Sequence, residues 1–176
     1  MAKKITMSLD PSSIGKAILE LQTYQASLKA KAEQIREKVA ETIRWTADAG
    51  FSTALADDIY VGGTPVYSNV SVSISTSGDV TVVMADGDHA IFIEFGAGVY
   101  YNGAVGDSPH PLGKQLGFTI GEYGKGRGKQ QAWDLPGSNL KQPKLSHGTP
   151  AAMPMYNGVM DAVAQLESIA KKVFGN

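Results

Sequence analysis

The sequence predicts a single α+β domain over residues 1–176. Apolar residues recur at the 3.6-residue period of an amphipathic helix in the first third of the chain and again after Pro154. Between these two segments, residues 69–85 change to the period of 2 that is typical of half-buried strands. With 176 residues, of which 43% are hydrophobic and 19% charged, the chain is long enough to bury a core of its own.

The first helix is predicted to begin at Asp10 and Pro11, because Asp accepts hydrogen bonds at an N-cap and the proline ring has a helical φ. Its apolar stripe is Ile14, Ile18, Leu21, Leu28, Ala32, Ile35, Val39, Ile43, Ala47 and Phe51. The spacing fits one long helix or two helices with a break near residues 25–30. Gly50 weakens the far end by about 1 kcal/mol relative to alanine. The helix should stop before YVGGTP at residues 60–65.

A β-hairpin follows, with strands in NVSVSIST (69–76) and VTVVMA (80–85). The next apolar segment, AIFIEFG (90–96), is too short for its period to distinguish strand from helix. The last helix is predicted after Pro154, and it ends with two lysines before Gly175. Its apolar stripe is Met155, Val159, Val163, Leu166, Ala170 and Val173.

Residues 97–150 are predicted to form a long interaction loop within the domain. This segment contains most of the chain's 20 glycines and five of its 8 prolines, and it shows no sustained periodicity. Irregular segments of this length inside a compact domain are usually functional, or they become ordered when a partner binds.

Composition excludes several classes of function. The net charge of −1 produces no global attraction to DNA or to an anionic membrane. The chain has no cysteine, which excludes disulfides, thiolate metal sites and cysteine catalysis. The N-terminal residues MAKKITMSLDPSS lack the apolar run of a signal peptide, and the most apolar window is too short to span a membrane. We therefore expect a soluble protein made in a cytoplasm.

The glycine-rich stretch GEYGKGRGK at residues 121–129, here called the basic loop, has the composition of a phosphate-binding loop but not its spacing. A P-loop requires Ser or Thr after Gly-Lys, whereas Gln130 follows Lys129, and Tyr123 occupies the position of the first glycine. A partner-contact loop is the better interpretation. Its candidate contact residues are Tyr123, Lys125, Arg127, Lys129 and the nearby Trp133.

Catalytic and metal-binding motifs are weak. Asp86, Asp88 and His89 cluster in a turn that lacks the later glutamate of a calcium loop, so a hydrated turn is the simpler interpretation. No pairing of a nucleophile with a base can be proposed, and we predict no metal, no cofactor and no enzymatic activity. Glu94 lies inside an apolar run, where an acid could have a role in catalysis. Such a residue is more often exposed at an edge or paired across an interface.

Two segments resemble a small family of neck proteins of long-tailed bacteriophages, whose members are tail-completion or minor tail components. The first is IEFGAGVYYN (93–102), and the second is HGTPAAMPMYNGVMDAV (147–163). GKGRGKQQAW (124–133) is similar to a loop found in part of that family. The matching motif positions are Glu94, Gly96, Gly148, Pro150, Pro154, Tyr156 and Asn157. Met155 departs from the family, which often has an aromatic residue there.

The resemblance implies a structural subunit of the virion neck without chemistry of its own. Such a protein would form a ring of six copies, or in the alternative twelve, between the head-closure complex and the tail terminator or tail tube. It would be assembled in the host cytoplasm, and DNA would pass through its lumen. The alternatives are a neighbouring neck component, such as a tail terminator or head-closure protein, and a nucleic-acid-binding module that uses the basic loop.

Overall fold

The fold is α+β, and three helices and one regular hairpin make up most of what the computed structural model describes. The described residues are 5–57, 66–98, 100–101, 104–105, 108–118, 133–134, 145–146, 148–149 and 151–175. The elements in chain order are α1 (Pro11–Thr53), β1 (Leu55–Asp57), β2 (Val66–Tyr67), β3 (Ser71–Ser77), β4 (Val80–Asp86), α2 (Ala90–Phe95), β5 (Ala97–Gly98), β6 (Tyr100–Tyr101), β7 (Ala104–Val105), β8 (Trp133–Asp134), β9 (Leu145–Ser146), β10 (Gly148–Thr149) and α3 (Pro154–Phe174).

The N-terminal third is one uninterrupted helix of 43 residues, so the alternative of two helices does not apply. At 1.5 Å per residue, α1 is about 65 Å long. Asp10 caps it as expected, because its Oδ1 accepts a hydrogen bond of 2.9 Å from the backbone N–H of Ser13. The Ser8 hydroxyl, followed by that N–H, holds the pKa of Asp10 below its usual value. The helix ends well before residue 60, as predicted.

The predicted hairpin is confirmed as β3 and β4, which pair antiparallel from Ser71 opposite Asp86 to Ser77 opposite Val80. Gly78 has a φ of 58° in the connecting turn, a conformation that glycine adopts without steric cost. The inner side chains of the hairpin pack on the C-terminal half of α1. There a buried cluster forms from Ala47, Phe51, Ala54, Val72 and Ile93.

Helix α3 lies antiparallel along α1, with Gly158 beside Ile43 and the ring of Phe174 beneath the Lys31 ammonium. Its first turn reaches the core under the hairpin through Met155, which packs against the buried cluster. The buried residues of α3 are Pro154, Gly158, Ala162, Ile169 and Val173.

The apolar stripe predicted for α3 has the period of a helix, but the structure buries a neighbouring side of that helix. Val173 is buried, whereas Val159, Val163 and Leu166 are exposed. The helix turns its small residues to α1 because they permit close approach: a Cβ on Gly158 would lie 2.7 Å from the carbonyl oxygen of Ile43. Close packing of the backbones thus determines which side of α3 is buried, and Val159, Val163 and Leu166 remain outside.

The short apolar segment after the hairpin is a helix, α2, which settles the choice between strand and helix. Beyond it, the described parts of the 97–150 segment consist of two-residue strands and a run of turns at 108–118. β5 pairs with β10, β6 with β7 and β8 with β9, all antiparallel. Of the helices in the described ranges, none is long and apolar enough to cross a membrane.

Candidate functional site

The most unusual polar residue in the described chain is Glu94, which is only 7% exposed although it carries a carboxylate. It occupies the last turn of α2, within the apolar run AIFIEF. The expectation that Glu94 would be exposed at an edge or paired across an interface is wrong. Its partners lie within the same chain, and two of them, Met155 and Tyr156, are about 60 residues further along the sequence.

Glu94 caps the N-terminus of α3 from a distance. Its Oε2 accepts a hydrogen bond of 2.8 Å from the backbone N–H of Met155, and its Oε1 accepts one of 2.9 Å from that of Tyr156. The first N–H groups of a helix have no partner within the helix, and the helix dipole favours a negative charge there. The residue at the N-cap position, Met153, has a left-handed φ of 54° and provides no side-chain acceptor. The carboxylate of Glu94 therefore replaces a local cap.

His110 contacts the same carboxylate from the other side. Its Nε2 lies 3.2 Å from Oε1 of Glu94, and the imidazole is 6% exposed. Its Nδ1 accepts a hydrogen bond of 3.0 Å from the backbone N–H of Leu112, so Nδ1 carries no proton. This geometry assigns the neutral tautomer with the proton on Nε2, which donates to Glu94.

Aromatic rings enclose this pair of residues. The ring of Phe95 stacks on that of Phe118, with the centroids 4.6 Å apart, and lies 4.3 Å from the imidazole of His110. The ring of Tyr156 meets His110 edge-on at 5.3 Å. Contacts of this kind add about 0.5–1.5 kcal/mol per pair beyond burial, and they also exclude water from the Glu94 hydrogen bonds.

The turns of 108–118 hold His110 in position through backbone hydrogen bonds. Ser108 donates its hydroxyl to the carbonyl of Phe95, which ties the segment to the end of α2. Ser108 N–H donates to Phe118 O at 3.2 Å, and Phe118 N–H donates to Gly113 O at 2.8 Å. Gly113 has to be glycine in this packing, because a Cβ there would lie 2.6 Å from Cβ of Ser108.

The Glu94–His110 pair does not have the arrangement of an acid–base catalyst. Both carboxylate oxygens accept backbone N–H groups, and both imidazole nitrogens are engaged within the chain. A general base requires a lone pair directed at a substrate proton. We therefore interpret the pair as a structural latch that joins α2, the 108–118 turns and the start of α3.

Comparison with protein-family models, with curated proteins and with solved structures finds no match. A functional proposal must therefore rest on the residues of this chain.

The two motif segments, distant in sequence, meet at this latch. Gly96 ends α2 with a φ of 79°, which explains the glycine of the Glu-x-Gly motif. Pro154 is fully buried at the first position of α3, against Gly50 of α1. Asn157 donates its side-chain amide to the carbonyl of Ala152 at 3.1 Å. Gly148 pairs with Gly98 between β10 and β5.

Several predicted positions lie outside the described residues: Pro150, Tyr123, Lys125, Arg127 and Lys129. Trp133 lies in β8, opposite Ser146. The predicted role of these residues in partner contact stays a prediction. Asp86 and Asp88 are exposed, and in the described ranges no group of three or more His, Cys, Asp or Glu side chains could hold a metal ion.

Sequence reasoning missed the role of His110 and of the turns around it. The spacing between His110 and Glu94 has no motif, because the contact depends on how the 108–118 turns fold back onto α2. The only local signal is the pair of prolines that flanks His110 in SPHPLG, which restricts the backbone at that position.

Proposed function

We propose that this chain is a structural subunit of the neck of a long-tailed bacteriophage, where a ring of copies helps to join the DNA-filled head to the tail. The observation that carries the proposal is the meeting of the two segments in which the resemblance lies. Glu94 of the first segment accepts hydrogen bonds from Met155 and Tyr156 of the second. The two segments that carry the resemblance are thus in direct contact with each other in the fold.

The chemistry of that unit supports a structural role. The Glu94 carboxylate accepts hydrogen bonds from the first turn of α3, and the aromatic residues beside it pack on one another. The net charge of −1 also suits a ring through which DNA passes without being retained. On this proposal the partners are other copies of the chain, the head-closure protein and the tail terminator or tail tube, and no cofactor is involved.

Electron microscopy of lysates from a phage that lacks the gene tests the proposal. We expect full heads and complete tails lying separately, and joined particles after purified protein is added. Glu167→Ala, which changes only an exposed ion pair with Lys171, should restore joining as well as the native protein does. Joined particles of normal shape in the absence of the protein would overturn the proposal.

A neighbouring position in the neck would give a different defect. A tail terminator is needed to stop tail growth, so its loss should leave tails of abnormal length. A head-closure protein is needed to retain DNA, so its loss should leave empty heads. Full heads beside tails of normal length would separate the proposed joining role from both alternatives.

A further inference from the structure

The N-terminal end of α1 carries apolar side chains that remain exposed in the folded chain. Because Gly158 lies beside Ile43 and Phe174 lies under Lys31, α3 ends near Lys31, and α1 continues beyond it. Residues 11–28, here called the arm, extend about 27 Å along the helix axis. Six large side chains of the arm are between 38% and 64% exposed: Ile14, Ile18, Leu19, Leu21, Tyr24 and Leu28.

A second exposed apolar surface lies on the body of the same chain. It is a groove of about 620 Å³ between β4, α2, the 108–118 turns and the first turns of α3. The outward side of α3 continues it, because α3 packs on α1 through its small residues. The large side chains of this groove surface are between 44% and 61% exposed: Met84, Ile91, Leu112, Val159, Val163 and Leu166.

We propose that the arm of one copy docks into the groove surface of a second copy. This contact rests on the proposed function in one respect: it names the two surfaces that would build the ring. The exposed apolar side chains that support the contact are present whether or not the chain is a phage protein. Each copy has one arm and one groove surface, so the contact is heterologous: every copy binds one neighbour and is bound by another. Such contacts generate a closed ring when the rotation between copies divides a full turn.

The area available is sufficient for a specific interface. Fully burying an aliphatic side chain removes about 100 Å² of apolar surface from water, so six half-exposed side chains offer about 300 Å² on each surface. The two surfaces together provide about 600 Å². Because apolar atoms contribute about 60% of a typical interface, the contact would bury about 1,000 Å² in total, which is the lower limit for specific association.

The pattern of the arm indicates how it would bind. Ile14, Ile18, Leu21 and Leu28 lie on the alternating spacing of 4 and 3 residues that forms a narrow apolar seam on a helix, with Gln25 at the one intervening position. A helix with such a seam binds in an apolar groove through side chains at these positions. Pairing of two arms would bury a similar area but would leave the groove surface exposed on every copy. Docking of arm into groove covers both surfaces with one kind of contact.

Two single substitutions and their controls test the proposal. Leu21→Asp places a charge in the seam of the arm, and Val163→Asp places one on the groove surface. Both side chains are more than half exposed, so we expect both variants to fold. Thr23→Asp and Ser168→Asp add the same charge at exposed positions about 160° and 140° around the helix axis from Leu21 and Val163. Sedimentation velocity should show concentration-dependent assembly for the native protein and for both controls. Each seam or groove variant should assemble at least 100-fold more weakly.

Mixing the two variants distinguishes the possible contacts. The Leu21→Asp variant retains an intact groove surface, and the Val163→Asp variant retains an intact arm. Their equimolar mixture should therefore form a 1:1 complex that grows no further, since only one productive contact exists between them. A photo-crosslinker at position 21 of the native sequence should label peptides that contain Met84–Ile91 or Val159.

Several results would overturn the proposal. A native protein that stays monomeric up to about 100 µM would do so, as would a Val163→Asp variant that assembles as well as the native chain. Assembly of Val163→Asp combined with loss of assembly in Leu21→Asp would indicate pairing of two arms instead. A failed joining assay with a successful mixing assay would reject the phage role and leave the contact intact.

Discussion

Replacement of Glu94 by alanine should destabilise the fold more than any single exposed substitution, because it removes the shared acceptor of three donors that are buried or partly buried. These donors are the backbone N–H groups of Met155 and Tyr156 and the Nε2–H of His110. Each buried donor left without an acceptor costs about 1–3 kcal/mol, and some of that cost is recovered where water can enter from the groove. We expect a loss of about 3–5 kcal/mol from the three donors together.

The assay is urea unfolding followed by circular dichroism at two protein concentrations, so that any contribution of self-association is visible. Glu167→Ala is the matched control, because Glu167 forms an exposed ion pair with Lys171 in the same helix that Glu94 caps. An exposed pair at i and i+4 contributes about 0.3–0.5 kcal/mol. In thermal unfolding of the same variants, the melting temperature should fall by about 10 °C in Glu94→Ala and by no more than about 2 °C in the control.

Glu94→Gln refines the test. The amide retains one oxygen acceptor, but its NH2 group would face a backbone N–H, and the negative charge at the helix N-terminus is lost. Its destabilisation should be about half that of Glu94→Ala, or about 2 kcal/mol. The capping argument is refuted if Glu94→Ala and Glu167→Ala differ in unfolding free energy by less than the error of the measurement.

Three further predictions follow from the geometry. Gly158→Ala should destabilise by about 1–3 kcal/mol through overpacking against Ile43, whereas Gly15→Ala, which meets nothing within 4 Å, should stabilise by up to about 1 kcal/mol; urea unfolding of both variants measures the difference. The pKa of Asp10 is lowered on folding, so its cap is fully formed above the unfolded value of about 3.9 and is lost as pH falls through the folded pKa; the protection of the first-turn amides of α1 against exchange, relative to an unfolded peptide at the same pH, should decrease there and stay constant above about pH 5. Filter binding to duplex DNA at 50 mM salt should detect no salt-sensitive affinity, and affinity that disappears when the three cations of the basic loop are replaced by alanine would favour a nucleic-acid-binding module.

The local sequence pattern was sufficient to predict the elements that depend on hydrophobic period and capping residues alone. The β-hairpin, the capped start of α1 and the helix after Pro154 all depend on neighbouring residues, and the structure has them where the sequence places them. The choice between one and two helices over residues 11–53 depended on the absence of a strong breaker near residues 25–30. Hydrophobic periodicity therefore predicted the class of fold but not which side of each helix is buried.

Tertiary packing decided what the pattern left open. The large aliphatic residues of α3 predicted a buried stripe through Val159 and Val163, yet these two are exposed, and Gly158 and Ala162 are buried. Hydrophobicity ranks valine above glycine, but the distance between two helix backbones is set by the smallest side chains between them. The role of His110 was equally hidden, because its contact with Glu94 requires the 108–118 turns to fold back onto α2.

The exposed side chains of α3 and the contact of His110 with Glu94 both bear on function. Glu94, the acid for which a role in catalysis was considered, is used to join α2 to α3. The apolar side chains of the arm and the middle of the predicted α3 stripe, Val159, Val163 and Leu166, are exposed on the folded chain. Glu94 stabilises the fold on which the arm and the groove surface lie, and the exposed aliphatic side chains of these two surfaces support the proposed contact between copies.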